Sequence, residues 1–518
     1  VLSYFKWSQS AFHFQHSIHS YIKLFVLLAE GRKYPKIRSL LHIFVRQVTP
    51  IPISLFCHEL ISSGNNSWDN SVIFDMLMLS FVQNGNLELA LECFKRSADY
   101  GFKLSSLSCN TLLIGLVKEK RIGNVEFVFK GMKKRRIVLN MITFNTVICG
   151  LCKSGKLNKA GDLFEDMKVY GLAPDVFTYN VMIDGHCKSH GMARMYKADL
   201  LFKEMVQRGI SPNVITYNTL IDGFCRDDNM ASSVRMFKEM KKDRGLKPGL
   251  VTYNSLINGY CSRGKIDKAL ELRDEMLAFG LQPNVVTHNV IINGFCKSKS
   301  LKEATSYFDG VVRSGAAVMV NALTFNTLIS GHCKSGKMEE ARALYDMMLE
   351  KNISPVVSTY NCLIGGYYLH GNIDMGEILV NEMERKGLKP DVITYNIRID
   401  ALCKIGETRQ AVRLMDGMNR KGVKPNHITY NALISGYCLH GNTNAAVFMK
   451  KRMESDGKSP NVVTYNVLIK GLCKCKKLEE ANKFLNEMLE KGVLPNQITY
   501  ETIKEEMLDS GFVPNVEG

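Results

Sequence analysis

The sequence predicts an all-α fold, a right-handed superhelical solenoid of tandem helix-turn-helix repeats, each about 35 residues long. A Thr-Tyr-Asn triplet recurs at constant spacing, with Asn361, Asn396, Asn431 and Asn466 each 35 residues apart. Every such unit contains two stretches whose apolar residues have helical spacing. Because one helix pair cannot bury both of its faces, we expect the units to stack on one another.

The first helix of a unit, helix A, begins at the triplet, and the second, helix B, follows a short break. In unit 462–496 the apolar positions are Tyr465, Leu468, Ile469, Leu472 and Cys473 in helix A and Leu478, Ala481, Phe484, Leu485 and Met488 in helix B. Both sets follow the pattern of an amphipathic helix. Gly492 provides the left-handed position that ends helix B, and Pro495 prevents its continuation. In unit 322–356 that glycine is replaced by Asn352, which tolerates the same conformation.

Two positions of helix B are predicted to lie in the core. A small residue allows neighbouring helices to approach closely, and it recurs as Ala160, Ala198, Ala269, Ala304, Ala341, Ala411, Ala446 and Ala481. A methionine recurs as Met167, Met205, Met240, Met276, Met348, Met383, Met418, Met453 and Met488. We interpret the methionines as core residues and not as a cofactor site.

This register divides the chain into three parts. Residues 1–70 are predicted to form degenerate N-terminal helical repeats or a cap, residues 71–496 twelve tandem repeats, and residues 497–518 a truncated C-terminal repeat. The repeats open near Ser71, Ser106, Met141, Val176, Val214, Leu250, Val285, Ala322, Val357, Val392, His427 and Val462. Extra residues near 191–196 and 316–320 are expected in turns, where insertions are tolerated.

Composition indicates a core-forming chain with an anionic partner. Lys and Arg number 67 against 50 Asp and Glu, a net charge of +17, which favours binding to nucleic acid or to an anionic membrane surface. No apolar run approaches the roughly 20 residues of a spanning helix, so we expect no membrane span. Most of the 15 cysteines fall at one repeated position, which favours core packing in a reducing compartment.

Motifs for catalysis are weak. Residues 150–156, 259–265 and 331–337 spell Gly-x4-Gly-Lys, but the next residue is Leu157, Ile266 or Met338 and not the Ser or Thr that would hold Mg²⁺. Cys149 and Cys152 form a Cys-x2-Cys without a second pair at zinc spacing. The sequence therefore predicts no enzyme, no cofactor and no metal site.

The recurring residues separate two families of helical repeats. Tetratricopeptide repeats carry a Trp and a Leu-Gly in helix A, whereas Trp7 and Trp68 lie outside these repeats. The pattern here is Val-x-Thr-Tyr-Asn-x-Leu-Ile-x-Gly-x-Cys-Lys, followed by Ala, Met, Gly and Pro-Asp/Asn. From about residue 71 onward it closely resembles the pentatricopeptide repeat family of plant organelle RNA-binding proteins, specifically the P subfamily.

The resemblance implies that each repeat contacts one RNA base through the triplet Asn and the last residue of the unit. An Asn amide offers donors and an acceptor, although the same residues are also ordinary helix caps. The pairs are Asn110/Asn140, Asn145/Asp175, Asn180/Asn213, Asn218/Gly249, Asn254/Asn284, Asn289/Asn321, Asn326/Val356, Asn361/Asp391, Asn396/Asn426, Asn431/Asn461 and Asn466/Asn496. In the family, Asn with Asp implies uridine and Asn with Asn a pyrimidine. The expected target is Y-U-Y-N-Y-Y-N-U-Y-Y-Y; Gly249 and Val356 leave two bases open, and Asp75/Ser105 receives no assignment.

Two further sets of side chains are candidates for RNA contact. By resemblance, apolar residues at the second position wedge between bases, with core packing as the alternative: Ile142, Phe177, Ile215, Val251, Val286, Leu323, Ile393, Ile428 and Val463. Basic residues near the end of helix A suit phosphate oxygens, or offset the helix dipole: Lys118, Lys153, Lys188, Arg226, Lys297, Lys334, Lys404 and Lys474.

The sequence thus predicts a monomeric, sequence-selective binder of single-stranded RNA that supports organelle RNA processing, stabilisation or translation, with auxiliary RNA-processing proteins as further partners. The mitochondrion is the expected compartment and the chloroplast the alternative. The start of the chain, acid-poor up to Glu30, is either a targeting remnant or a degraded helical pair over residues 21–44. The rival function is a protein-binding scaffold that holds a peptide as tetratricopeptide arrays do.

Overall fold

The computed structural model describes residues 17–47, 52–63, 66–189, 194–242, 245–313 and 320–508. These ranges form 28 α-helices and no strand, which confirms the predicted all-α repeat fold. Residues 1–16 and most of the predicted insertions near 191 and 316 lie outside the described residues. The chain divides into two compact units, Val1–Gly259 and Tyr260–Gly518. Within the described ranges, no helix is long and apolar enough to cross a membrane.

The first unit begins with three helices and continues as helix pairs, in which even-numbered helices are helix A. The helices are α1 (Ile18–Glu30), α2 (Tyr34–Gln47), α3 (Ile53–Ser62), α4 (Ser67–Gln83), α5 (Leu87–Asp99), α6 (Ser106–Lys118), α7 (Ile122–Lys134), α8 (Met141–Lys153), α9 (Leu157–Val169), α10 (Val176–Lys188), α11 (Arg194–Gln207), α12 (Val214–Arg226), α13 (Met230–Lys242) and α14 (Leu250–Ser262), whose last residues belong to the second unit.

The second unit continues the alternation of helix A and helix B. Its helices are α15 (Ile266–Ala278), α16 (Val285–Lys297), α17 (Leu301–Arg313), α18 (Ala322–Lys334), α19 (Met338–Glu350), α20 (Val357–Leu369), α21 (Ile373–Arg385), α22 (Val392–Lys404), α23 (Thr408–Arg420), α24 (His427–Leu439), α25 (Thr443–Ser455), α26 (Val462–Lys474), α27 (Leu478–Glu490) and α28 (Gln497–Ile503), which runs into a π-turn at Lys504–Leu508.

Within each unit, helices A pack against their own helix B and against the next helix A, as α8 packs against both α9 and α10 in the first unit and α18 against both α19 and α20 in the second. All eight recurring alanines and all nine recurring methionines of helix B are fully buried. Burying one methionine side chain contributes about 1.5–3 kcal/mol. Helix B therefore supplies a repeated core layer, and no repeat buries its apolar residues without its neighbours.

A glycine of one helix A lies directly against a cysteine of the preceding helix A. A Cβ placed on Gly294 would lie 2.7 Å from Cβ and Sγ of Cys261, and one on Gly331 would lie 2.8 Å from Sγ of Cys296. Only glycine leaves room for this approach. Burial raises the pKa of the Cys261 thiol to about 12, so it stays protonated and packs as a small apolar group.

The turn after helix B requires a left-handed backbone conformation. Gly492 has φ 68° and Asn352 has φ 55°, so the substitution of Asn for Gly in unit 322–356 keeps the turn. The backbone N–H of Ile353 donates to the carbonyl of Met348 at 3.0 Å, as that of Val493 does to Met488. These turns bring each chain segment back to the start of the next helix A.

Candidate nucleic-acid interface

At α22, three side chains tie the start of helix A to the preceding helix A. Asp391 is the N-cap, and its Oδ1 accepts the backbone N–H of Thr394 at 2.9 Å. Oγ1 of Thr394 accepts the backbone N–H of Asp391 at 3.2 Å, which completes a capping box. The Thr394 hydroxyl donates to Oδ1 of Asn361 in α20 at 2.7 Å, and Nδ2 of Asn361 donates to Oδ1 of Asp391 at 3.1 Å. The triplet Asn is thus held by the first turn of the next repeat.

The bond from the Thr hydroxyl to the preceding Asn recurs in both units at 2.6–2.8 Å. It joins Thr143 to Asn110, Thr178 to Asn145, Thr216 to Asn180, Thr252 to Asn218, Thr394 to Asn361, Thr429 to Asn396, Thr464 to Asn431 and Thr499 to Asn466. Sequence reasoning missed this role of Thr, although Thr stands three residues after each cap, at the spacing of a capping box.

Most of the triplet Asn side chains are buried, whereas the last residue of each unit reaches the surface. Asn110, Asn361 and Asn466 are only 4–7% exposed. Asp175 is exposed and Asp391 half-buried. The hydrogen bonds of both aspartates fall on Oδ1, which leaves Oδ2 as a surface acceptor. The recurring Asn therefore has a structural role, and the last residue presents the more accessible polar atom. The half-buried exceptions among the triplet residues are Asn218, Asn254 and Asn431.

An asparagine as the last residue of a unit presents a hydrogen-bond donor at the surface, where an aspartate presents an acceptor. Oδ1 of Asn140 accepts from Thr143 and from Nδ2 of Asn110, each at 3.0 Å, and these bonds leave its own Nδ2 as a surface donor. Asn466 and Asn496 repeat the contact at 3.0 Å. An Asp at this position therefore presents an acceptor, and an Asn presents a donor.

The other five asparagines predicted to contact a base from the last position are also helix caps. Oδ1 of Asn213 also accepts from Nδ2 of Asn180 at 3.2 Å, and Oδ1 of Asn426 from Nδ2 of Asn396 at 3.3 Å. In all five, Oδ1 accepts the backbone N–H of the Thr three residues later at 3.0–3.1 Å: Asn213, Asn284, Asn321, Asn426 and Asn461.

In these asparagines the amide oxygen bonds to the first turn of the helix that follows. Oδ1 is already used inside the protein, because the start of a helix has backbone N–H groups that need an acceptor. The alternative of helix capping is therefore true of these residues, and only the amide nitrogen stays a candidate for base contact. Asn321 and Asn461 are exposed, whereas Asn213, Asn284 and Asn426 are half-buried.

Two consecutive triplet asparagines lack the bond from the next Thr. Oδ1 of Asn289 and Oδ1 of Asn326 are buried, and neither has a hydrogen-bond partner in the part of the chain that the structure describes. Val356 caps α20 without a side-chain hydrogen bond, and Nδ2 of Asn326 instead donates to Oγ of Ser358 at 2.9 Å.

The predicted wedge residues form an exposed apolar row at the second position of helix A. All nine are between 52% and 63% exposed, so they are not core residues. Leu107 and Ile498, at the same position of α6 and α28, are 67% and 57% exposed and extend the row. These two residues were not among those predicted from the sequence, although each lies 35 residues along the chain from a predicted one, Ile142 or Val463.

We call the surface formed by the second, sixth, ninth and thirteenth residues of helix A the open face. The eight predicted phosphate-contacting cations occupy its thirteenth position and are exposed. Three of them pair with an aspartate one turn earlier: Lys188 with Asp184 at 2.8 Å, Arg226 with Asp222 at 2.9 Å, and Lys404 with Asp400 at 2.7 Å. The other five have no carboxylate partner among the described residues: Lys118, Lys153, Lys297, Lys334 and Lys474.

Each Gly-x4-Gly-Lys motif begins in the last turn of helix A and ends at the residue before helix B. Lys156, Lys265 and Lys337 are each the residue that precedes helix B. The described ranges contain no group of three or more His, Cys, Asp or Glu side chains that could hold a metal ion. The side chains that recur at the surface from repeat to repeat are thus the polar, apolar and basic residues of helix A described above.

Comparison with known proteins identifies the repeat. A model of the PPR repeat family matches residues 104–153, 139–188, 248–297, 320–357, 355–404, 392–439, 427–474 and 460–504. The chain belongs to this family. A pentatricopeptide repeat domain model matches residues 200–263, and a PPR repeat model matches residues 72–102, 177–210 and 286–315.

The relatives of this pentatricopeptide repeat protein are distant. It is 30% identical over 113 residues to a mitochondrial pentatricopeptide repeat-containing protein of Arabidopsis thaliana, a match that covers 22% of this chain and 20% of the relative. It is 31% identical over 149 residues to another pentatricopeptide repeat-containing protein of Arabidopsis thaliana, a match that covers 27% of this chain and 20% of the relative. The matched segments thus span about a fifth of each curated relative. The crystal structure of maize PPR10 shows the same fold, with a TM-score of 0.55, 22% identity, and coverage of 95% of this chain and 76% of that one.

Proposed function

We propose that this protein binds single-stranded RNA selectively, with one base at each of the eleven repeats from residue 106 to residue 496. The observation that carries the proposal is the surface polar atom of the last residue, repeated from unit to unit beside an exposed apolar row. A protein core has no need of apolar side chains that are more than half exposed at the start of helix after helix. Flat bases between such side chains would cover them, and the net charge of +17 suits a polyanion.

Base selectivity follows from the atom that the last residue presents. Oδ2 of Asp175 and Oδ2 of Asp391 would accept the N3–H of uracil, which cytosine lacks. Nδ2 of Asn140 would donate to N3 of cytosine or to a carbonyl oxygen of either pyrimidine. The buried Asn partners would keep these groups oriented. By analogy with bidentate contacts to DNA bases, one well-matched base would contribute roughly 1–3 kcal/mol of discrimination.

The test is a binding titration of the recombinant chain with two 11-nucleotide RNAs across a salt series. One RNA follows the pattern Y-U-Y-N-Y-Y-N-U-Y-Y-Y, and the other carries adenine at both uridine positions. We expect the first to bind at least tenfold more tightly. If the five unpaired cations contact phosphate, log K falls against log salt with a slope of about −0.7 × 5, or −3.5, and with all eight the slope approaches −6. Equal affinity for both RNAs would contradict selectivity, and a slope near zero would exclude the phosphate contacts.

We further propose that the chain acts as a monomer by occupying RNA in an organelle, where occupancy supports processing, stabilisation or translation alongside auxiliary proteins. One relative is named as mitochondrial, which favours the mitochondrion over the chloroplast. Immunoprecipitation of the native protein from purified mitochondria and chloroplasts, followed by sequencing of the bound RNA, tests this. Recovery of pyrimidine-rich transcripts from chloroplasts alone would assign the protein to the chloroplast and contradict the mitochondrial proposal.

A further inference from the structure

α2 packs against α4 in the way that one helix A packs against the next. The two helices run in the same direction, because contacts join them at both ends. The hydroxyl of Tyr34, at the start of α2, donates to Oδ1 of Asp69 at 3.3 Å. At the end of α2, Nε of Arg46 donates to Oδ1 of Asn84 at 2.8 Å, and Nδ1 of His42 lies 2.9 Å from Nδ2 of Asn84. α2 therefore takes the place of a helix A ahead of the twelve predicted repeats.

The buried residues of α2 fix its register against the later helices A. Four buried apolar residues have the spacing of four in α26: Ile37, Leu40, Leu41 and Phe44 against Tyr465, Leu468, Ile469 and Leu472. In this register Arg38 stands at the position of the triplet Asn466. Arg46 stands at the thirteenth position, which Lys474 occupies in α26. Both arginines are exposed, so a cation takes the place of the recurring Asn.

Carboxylates do not balance the charge of α2. Between Glu30 and Glu59 the sequence contains five basic residues and no Asp or Glu: Arg32, Lys33, Lys36, Arg38 and Arg46. Oε2 of Glu59 lies 2.6 Å from Nδ1 of His19, and neither Arg38 nor Arg46 has a carboxylate partner in the described ranges. A guanidinium has five N–H donors, no acceptor and a permanent charge. α2 therefore presents donors that suit phosphate oxygens.

The position of α2 favours RNA over a membrane surface as its anionic partner. A helix that binds a bilayer surface inserts its apolar face, whereas Ile37, Leu41 and Phe44 are 0% exposed because they pack inside the protein. The basic face of α2 instead adjoins the helices A that follow, since α2 packs on α4 and α4 on α6. The surface that we propose to contact RNA begins at α6.

We propose that α2 binds the sugar-phosphate backbone of the RNA ahead of the first selected base, with Arg38 and Arg46 as the residues that contact phosphate. This inference rests on the proposed function and extends it beyond the eleven base-selecting repeats. α2 lies two helices A before α6, so at one nucleotide per repeat its contacts fall about two nucleotides before the first base. Contacts to phosphate carry no sequence information, so these nucleotides are held whatever their bases.

The experiment compares the 11-nucleotide RNA of the predicted pattern with two longer RNAs across a salt series. One carries four extra nucleotides before the first base, and the other carries four after the eleventh. We expect the first extension to strengthen binding at least fivefold and to steepen the salt slope by −0.7 × 2, about −1.4. The second extension should change the affinity less than twofold. Extensions of four cytidines and of four adenosines before the first base should give the same gain.

Two double variants test the assignment to α2. In Arg38→Gln/Arg46→Gln, the gain from the first extension is expected to fall below twofold. Arg409→Gln/Arg413→Gln is the matched control, because it removes two charges from exposed positions of helix B α23 and should keep the gain. A gain that survives in the α2 variant, or that both variants lose equally, would overturn the inference.

The remaining outcomes separate this inference from the proposed function and from a membrane role. Selective binding of the 11-nucleotide RNA with no gain from the first extension would overturn the inference and leave the proposed function standing. Flotation with vesicles of phosphatidylserine and phosphatidylcholine tests the membrane. Vesicle binding that Arg38→Gln/Arg46→Gln abolishes, without a gain from either RNA extension, would overturn the inference in favour of a membrane surface. If the 11-nucleotide RNA is not bound selectively, the proposed function fails and the inference fails with it.

Discussion

The junctions before α22 and before α20 contain the same Asn and Thr but differ in the residue that caps the helix. At α22, Asp391 accepts from Thr394 and Asn361, and Thr394 donates to Asn361 at 2.7 Å. At α20, Val356 has no side chain that can accept, and Oδ1 of Asn326 is left buried without a partner among the described residues.

A missing cap side chain does not by itself explain the lost bond. Thr252 still donates to Asn218 at 2.7 Å after Gly249, and Oδ1 of Asn289 has no partner among the described residues although Asn321 caps the next helix. The comparison teaches that the bond between Thr and the preceding Asn also depends on how the two helices A pack.

The largest expected effect is on base selectivity, when the caps are changed. Asp391→Asn replaces an acceptor with a donor and is expected to shift the eighth base from uridine to cytidine. Val356→Asp is expected to create uridine selectivity at the seventh base. Each shift should be roughly 5- to 150-fold, equivalent to about 1–3 kcal/mol. Titration with RNAs varied at one base measures both shifts, and selectivity that stays unchanged in both variants would show that the last residue does not contact the base.

The second largest effect is expected on the free energy of unfolding, when the Thr hydroxyl that bonds to the preceding triplet Asn is removed. Thr394→Val leaves Oδ1 of Asn361 buried and unpaired, and we expect a loss of about 2 kcal/mol. Thr359→Val removes only the acceptor for the backbone N–H of Val356, so we expect about 1 kcal/mol. Urea unfolding with hydrogen exchange at the two junctions tests the difference. Equal losses of unfolding free energy in the two variants would mean that the hydrogen bond from Thr394 to Asn361 does not stabilise the protein.

A smaller effect concerns the cations on either side of α20. Lys334 has no carboxylate partner among the described residues, whereas Lys404 pairs with Asp400. Lys334→Ala is expected to reduce the magnitude of the salt slope of RNA binding by about 0.7. Lys404→Ala should reduce it less, because part of its charge is already neutralised. The double variant Lys404→Ala/Asp400→Ala is the control, and identical slopes for the two single variants would contradict the distinction.

The smallest effect is a pH dependence in repeat 322–356. Burial lowers the pKa of His332 below its ordinary value of 6.5. Above that value both the folded and unfolded forms are neutral; as pH falls below it, the unfolded state binds the proton first and stability decreases. His332→Phe introduces the residue found at this position as Phe224 and Phe295 and should flatten this decrease between pH 7 and pH 5. Unfolding curves that keep the same pH dependence in the variant would assign it to other groups.

Much of the local structure could be predicted from the sequence, because it depends on spacing along the chain. The left-handed turn at Asn352 and the buried core positions of helix B follow from periodicity and from the conformational range of single residues. The pairing of Lys188 with Asp184 also has a local signal, four residues along one helix, which the sequence analysis passed over.

The candidate site was only partly predictable. The Asn positions and the apolar second residues were identified from their recurrence, and their contact with RNA remains a prediction. That Asn361 is buried and bonded to Thr394, 33 residues away, could not be known from periodicity, since a period does not give the distance between successive helices. The cavity of about 470 Å³ between α20 and α22, lined by Gly365, Ile393 and Ile397 among others, likewise depends on how closely these helices pack.

By itself, the sequence determined the all-α repeat, its period, its helix pairs and the family to which it belongs. Only the tertiary structure decided that the recurring Asn joins two repeats, that the second residues are exposed, and that three of eight basic residues are already paired. The physical reason is that local conformation depends on neighbours within a few residues, whereas hydrogen bonds and exposure depend on how closely one repeat packs against the next.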